Sequence, residues 1–363
     1  MPATLPQPTI IQTHDLAPDG RPPASVLVIY TGGTVGMEYN KRGELVPMKF
    51  ERIRKKMPEL RQLPMNLSVL SLPEAIDSSN VTPADWLLLA RIIGENYAHY
   101  DGFVVLHGTD TMAYSAAALS YLLENLGKPV VFTGAQVPVG RIRTDARRNL
   151  ITALDIAAAR HPMAGTVRVP EVCLFFNDLL IRGNRAKKVE SEQYNAFRSE
   201  NYPPLARAGI EVAFDDKQIL LLPGGPLRVH QQLDDRVVIL KLFPGITEQV
   251  VRAILGLDGL RGCVLETYGS GNAPTAPWFL RCLREAHARG VHLLNVSQCE
   301  EGRVMQGQYE TSAHLTALGV IGGDDITTEA AITKLMFVLG LGLPAAETAR
   351  LLTHDLRGEI TLA

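Results

Sequence analysis

The sequence predicts an α/β protein of two domains, the larger of them first and built on a parallel sheet. Three observations predict it. Short runs of β-prone apolar residues without polar alternation, VLVIY at 26–30, FVVL at 103–106 and VVF at 130–132, read as strands buried on both faces. Each leads through a loop into helical spacing, the alternation that joins parallel strands by crossover helices. The pattern degrades over 206–235, a stretch with Gly224, Gly225 and Pro226, and then resumes. That stretch reads as a linker between a domain at 24–205 and a smaller α/β domain at 236–363.

The first 23 residues hold six prolines and lack the basic start and apolar centre of an export signal, so they are expected to form a flexible tail. The opening strand runs into TGGTVGM at 31–37. There Gly32, Gly33 and Gly36 let the backbone bend sharply at the carboxyl end of a strand, where open α/β sheets hold their sites. Thr31 and Thr34 supply hydroxyls at that bend. Residues 38–47 are polar and broken by Gly43 and Pro47, which suggests a mobile loop. LSVLSL at 67–72 forms a strand ahead of IDSSN at 76–80, and Thr82 with Pro83 opens a helix over PADWLLLARIIGENY. FVVL runs into HGTDT at 107–111, followed by a helix in MAYSAAALSYLLENL that Gly127 closes. VVFTG precedes a helix begun by Asp145; residues 171–176 form the next strand, ahead of the polar loop NDLLIRGNRAKKVE. In the second domain the strands are VVILKLF, GCVLETYG and HLLNVSQC. Its helices are one capped by Thr247, WFLRCLREAHARG, AAITKLMFVLG and AAETARLLTHDL.

At 363 residues the chain can bury two cores. The 36 Lys and Arg against 38 Asp and Glu give no attraction to nucleic acid or to an acidic membrane surface. No apolar run approaches a membrane span, and the location expected is the cytoplasm. Cys173, Cys263, Cys282 and Cys299 lack CxxC spacing and read as reduced core thiols. Neither HExxH nor GxSxG occurs, which removes the zincin and α/β-hydrolase signatures.

Taken singly, the two strand-end loops are ambiguous. TGGT reads equally as a structural turn, and its GGxxG spacing departs from the GxGxxG of dinucleotide loops. In HGTDT, Thr109 and Asp110 set a hydroxyl beside a carboxylate just before a helix, where capping by Asp110 or Thr111 is the plainer account. DSSN alone reads as an Asx turn. Taken together, these stretches resemble the L-asparaginase family, and within it the cytoplasmic type I branch. The resemblance rests on TGGTVGM, DSS at 77–79, GFVVLHGTDTMAYSAAALSYLLENLGKPVVFTGAQVP at 102–138, and LFFND with RGNRAKK within 174–188. It continues in YGSGNAP at 268–274 and GDDITTEAAITKL at 323–335, and it covers nearly everything from Val26 to LRGEIT at 356–361.

The resemblance implies an asparaginase-like fold, with a large flavodoxin-like parallel-sheet domain and a small C-terminal α/β domain, in a homodimer or homotetramer. It implies hydrolysis of L-asparagine to L-aspartate and ammonia without metal or organic cofactor. Thr34 aligns with the family nucleophile, which forms a β-aspartyl ester, and Thr109, Asp110 and Lys188 align with a second catalytic set. Asp77, Ser78 and Ser79 match the segment that holds the substrate's α-carboxylate and α-amino groups, with Thr109 and Asp110 also in contact. Asn272 matches a residue that reaches a neighbouring subunit's site. Many family members carry a tyrosine in the loop after the nucleophile. Here that loop reads EYNKRGELVPM, with Glu44 at the matching place, and Tyr309 in RVMQGQYETS is the substitute. Lys187, next to Lys188, is the competing assignment for the lysine. His107 and Thr111 need no catalytic role, the imidazole being expected to pack under the loop with its nitrogens on backbone, and Arg182 and Arg185 either add positive potential or solvate their loop. Two other functions stay open: the glutaminase subunit of a tRNA-dependent amidotransferase and a non-catalytic amino-acid sensor.

Overall fold

Strands without polar alternation must be covered on both sides, and Val26, Leu27, Val28, Ile29, Phe103, Val104, Val105, Leu106, Val130, Val131 and Phe132 are all fully buried. The computed structural model describes residues 6–14, 23–40, 42–43, 45–307 and 310–361. The chain divides into two compact units, one of residues 1–199 and 203–230, the other of 200–202 and 231–363.

The first unit holds a nine-stranded sheet. Its strands are β1 (Thr9–Gln12), β2 (Ser25–Gly32), β3 (Asn66–Ile76), β4 (Gly102–Leu106), β5 (Val130–Thr133), β6 (Val172–Phe176), β7 (Leu179–Arg182), β8 (Ala206–Ala208) and β9 (Val212–Phe214). They lie in the order β1-β3-β2-β4-β5-β6-β7-β8-β9. From β3 through β6 the pairs are parallel. Counted along the chain, these five strands stand in the order 2-1-3-4-5, the flavodoxin order, whose crevice opens between the first and third strands, here β2 and β4. TGGT leaves the end of β2 and HGTDT the end of β4, so the topology places both loops at the switch point.

The sheet is mixed, which corrects the expectation of a parallel one: β1 pairs antiparallel with β3, and β7, β8 and β9 continue antiparallel from β6. Thr9–Gln12 is therefore an edge strand inside the segment expected to be a tail. Residues 206–214 likewise belong to the first sheet, and Arg228–Val229 pairs with Leu123–Glu124, so the stretch expected to link the domains is largely part of the first unit. Both misreadings have one cause. Strands of three or four residues at or next to a sheet edge, with an exposed face, carry no apolar run. Residues 38–47 are also not a plain loop, for Met37–Tyr39 pairs antiparallel with Leu45–Pro47.

Helices α1 (Phe50–Lys56), α2 (Pro83–Asn96), α3 (Met112–Leu122) and α4 (Ala146–Ala158) complete this unit. Thr82 opens α2 as expected: the Asp85 carboxylate accepts from both its backbone N–H and its hydroxyl, at 2.8 and 2.7 Å. Every residue of α3 except Tyr114 is buried, as its Ala/Leu composition requires.

The second unit is a four-stranded parallel sheet in the order β10 (Val237–Lys241), β11 (Gly262–Thr267), β12 (His292–Ser297) and β13 (Ile321–Gly322). Its helices are α5 (Glu248–Leu255), α6 (Pro277–Ala288), α7 (Glu310–Ala317), α8 (Thr328–Gly340) and α9 (Ala345–Thr353). Leu240, Leu265, Phe279, Leu283 and Leu293 lie in its core. Lys334 on α8 and Glu359, both fully buried, pair at 2.7 Å, while Glu359 also accepts from the Leu356 and Arg357 N–H groups. The segment LRGEIT is thus tied down by a buried ion pair, and by the Thr361 N–H, which donates to Asp325 Oδ1 at 2.9 Å. Cys173, Cys263 and Cys282 are buried free thiols, and Cys299 is exposed. Among the described residues no helix is long and apolar enough to cross a membrane.

Candidate active site

The two loops at the switch point touch through their glycines. Gly33 has a φ of +83°, and a Cβ there would stand 2.5 Å from the Gly108 nitrogen; a Cβ on Gly108 would stand 2.4 Å from the Ser78 hydroxyl. Glycine at 33 and 108 is what lets the segments after β2, β3 and β4 come together, backbone against backbone between Gly33 and Gly108 and backbone against the Ser78 side chain at Gly108. Thr34 and Thr109, each following its glycine, are thereby brought to one place.

The two threonines of TGGT part company. Thr31 is buried and donates to the Leu106 carbonyl at 2.8 Å, binding the end of β2 to the end of β4. Thr34 opens a one-turn 3₁₀ segment, and none of the described residues hydrogen-bonds its hydroxyl. Beneath this turn lies Tyr30, whose hydroxyl donates to the Met48 carbonyl at 3.0 Å and whose pKa is pushed up to about 12 by burial. It props the turn and keeps its proton.

The HGTDT loop is wired. The Lys188 ammonium donates to the Thr109 hydroxyl oxygen at 2.9 Å and to Asp110 Oδ1 at 2.6 Å, reaching them from residues 187–188, which pair with 197–198. The Thr109 hydroxyl in turn donates to Gln136 Oε1 at 3.3 Å. Capping by Asp110 or Thr111, the plainer account from sequence, does not hold: α3 has no side-chain cap, Asp110 pairs with Lys188, and the Thr111 hydroxyl donates to the Ser78 carbonyl at 2.7 Å. Ser78 is buried, while Asp77 and Ser79 are exposed and form an Asx turn in which Asp77 Oδ1 accepts from the Ser79 N–H at 3.0 Å and its hydroxyl at 2.9 Å.

Gln136 was not singled out by sequence reasoning, although it stands in the matched TGAQVP. Its amide also donates to the Gln193 carbonyl at 3.1 Å, and Asp145 holds its loop by accepting from the Gln136 and Val137 N–H groups at 2.9 and 3.0 Å. Gln193 lines a cavity of about 1190 Å³ with Arg141, Arg143 and Tyr194, and none of the candidate catalytic residues lines it. Arg182 and Arg185 are both buried, which corrects the expectation that they solvate their loop. Arg182 pairs with the equally buried Glu171 at 2.6 Å and donates to the Gln218 carbonyl. His107 bonds backbone through one nitrogen only, the other meeting Ser115.

Asn272 belongs to the second unit, where its N–H donates to the Tyr268 carbonyl and its carbonyl accepts from the Tyr268 N–H. Tyr309 and Glu44 lie outside the described residues. Among the described residues no group of three or more His, Cys, Asp or Glu is placed to hold a metal ion.

A hydroxyl without a partner among the described residues, at a switch point beside a Lys–Thr–Asp set, is an arrangement that suits a nucleophilic hydrolase. Comparison with known proteins makes the class specific. Residues 25–220 match the N-terminal asparaginase domain and residues 236–352 the glutaminase/asparaginase C-terminal domain. The chain belongs to the asparaginase family. It is 41% identical to L-asparaginase 1 of Escherichia coli K12 over 93% of this chain and 98% of that protein. The crystal structure of L-asparaginase I from Vibrio cholerae superposes with a TM-score of 0.85 at 40% identity, over 94% of this chain and all of that one. The human 60 kDa lysophospholipase is also 41% identical, over 94% of this chain and 62% of its own length.

Proposed function

We propose that this enzyme hydrolyses L-asparagine to L-aspartate and ammonia through an ester on Thr34. The observation that carries the reading is the asymmetry of the two hydroxyls: Thr34 has no partner among the described residues, while Thr109 is held by Lys188 and Gln136. The Thr34 oxygen attacks the side-chain amide carbon, and the amine leaves as ammonia with the proton that the hydroxyl gives up. Water then cleaves the β-aspartyl ester and returns a proton to Thr34. Lys188 polarises Thr109 and keeps the Asp110 charge in place, and Asp110 is exposed enough to receive the substrate's α-ammonium. The α-carboxylate falls to the hydroxyl and N–H groups around Ser78 and Ser79. Asn272 completes the site from a second copy, in a homodimer or homotetramer, and Tyr309 serves the nucleophile in place of the absent loop tyrosine. In this reading the enzyme works in the cytoplasm, as the type I resemblance implies.

Asparagine and glutamine differ by one methylene, which a pocket discriminates by about 1–3 kcal/mol, so slower release from L-glutamine is expected. The test is ammonia release from L-asparagine and L-glutamine over a range of concentrations, with a lysophospholipid tried in parallel. Fast release from asparagine supports the reading. Binding of asparagine with no release from either amide would sink it in favour of a sensor, and cleavage of the lysophospholipid alone would replace it.

A further inference from the structure

His107 lies directly beneath the Gly108–Thr109 peptide, and its surroundings decide where its proton sits. Its Nδ1 is 2.7 Å from the Gly108 carbonyl oxygen, which can only accept, so Nδ1 carries the hydrogen. Its Nε2 is 3.0 Å from the Ser115 hydroxyl on α3, and that hydroxyl oxygen accepts at 2.9 Å from the indole N–H of Trp86 on α2, which can only donate. The Ser115 proton is left to point at Nε2. All three side chains are buried, and Phe132 closes the remaining side of the imidazole edge-on at 5.9 Å between ring centroids. Burial lowers the imidazole pKa, in keeping with a neutral ring.

The hydrogen bonds therefore run in one direction, from Trp86 through Ser115 and His107 to the Gly108 carbonyl. A trans peptide is planar and its N–H points opposite to its carbonyl. With the Gly108 carbonyl turned onto the ring, the Thr109 N–H is turned away from it, and that N–H has no acceptor among the described residues. We propose that Trp86, Ser115 and His107 act as positioning residues, holding one imidazole tautomer and through it the peptide plane that carries Thr109. The inference rests on Thr109 belonging to the catalytic set of the proposed hydrolase. It gives α2, which supplies no candidate catalytic residue, a part in aligning the site.

Neutron diffraction from deuterium-exchanged enzyme reads the tautomer directly. The expected result is a deuteron on His107 Nδ1, none on Nε2, and the Ser115 deuteron directed at Nε2. Trp86→Phe and Ser115→Ala each remove one link, the first keeping an aromatic ring in place. For ammonia release from L-asparagine, both are expected to lower kcat about five- to tenfold with little change in KM, the size of one lost buried hydrogen bond. Trp86→Phe is expected to do so without a matching loss of thermal stability. A deuteron on Nε2 would overturn the proposal, as would unchanged kcat in both variants of an active enzyme. No release by the wild type from any amide would remove the hydrolase reading and this inference together, which separates the two failures.

Discussion

TGGT and HGTDT leave adjacent parallel strands and meet through Gly33 and Gly108, yet they are built in opposite ways. The first leaves its outer hydroxyl without a partner among the described residues and spends its other polar groups on support, with Thr31 bonded to the Leu106 carbonyl and Tyr30 bonded beneath the turn. In the second, the side chains of Thr109, Asp110 and Thr111 each have a partner before any substrate arrives, Lys188 for the first two and the Ser78 carbonyl for the third. An attacking group must be able to leave its resting contacts, whereas groups that bind and polarise work best when already fixed. The difference teaches that the proposed nucleophile is marked by what it lacks.

Several changes would break or sharpen this contrast. Thr34→Ala removes the proposed attacking atom and should lower kcat for ammonia release by at least about 10⁴-fold with the fold intact by circular dichroism. Lys188→Met unwires the second loop and should cost about 10²- to 10⁴-fold in kcat, read in the same assay. Gly33→Ala attacks the contact between the loops: its φ is +83° and its Cβ would stand 2.5 Å from the Gly108 nitrogen. A loss of about 1–3 kcal/mol in urea unfolding is expected, together with loss of activity. Gln136→Leu removes the lesser of the two bonds to the Thr109 hydroxyl and should lower kcat about tenfold or less. A Gln136 effect as large as that of Lys188 would mean that the weights of these two partners are misjudged.

The parts of this molecule that could be read from sequence are those where burial leaves an unbroken pattern. VLVIY, FVVL and VVF are covered on both faces, and their carboxyl ends pointed to the crevice before the strand order was known. Thr9–Gln12 and residues 206–214 escaped because short strands at or next to a sheet edge keep exposed residues and show no apolar run. Arg182 escaped for another reason: a buried arginine looks like a solvated one until Glu171, eleven residues away in sequence, is seen against it at 2.6 Å. Lys188 could be singled out only by resemblance, since its partners lie 78 and 79 residues earlier in the chain. Gln136 had no signal beyond its place in a matched stretch, because a glutamine in a strand-end loop is ordinary until its hydrogen bonds are known.

The central claim is that Thr34, not Thr109, carries the acyl group. Acid-quenching the enzyme during turnover of L-asparagine, followed by peptide mass mapping, tests it most directly. The account predicts an added aspartyl group on the peptide that contains Thr34, and its disappearance in Thr34→Ala. The same group on the peptide that contains Thr109, or turnover that survives Thr34→Ala, would contradict it.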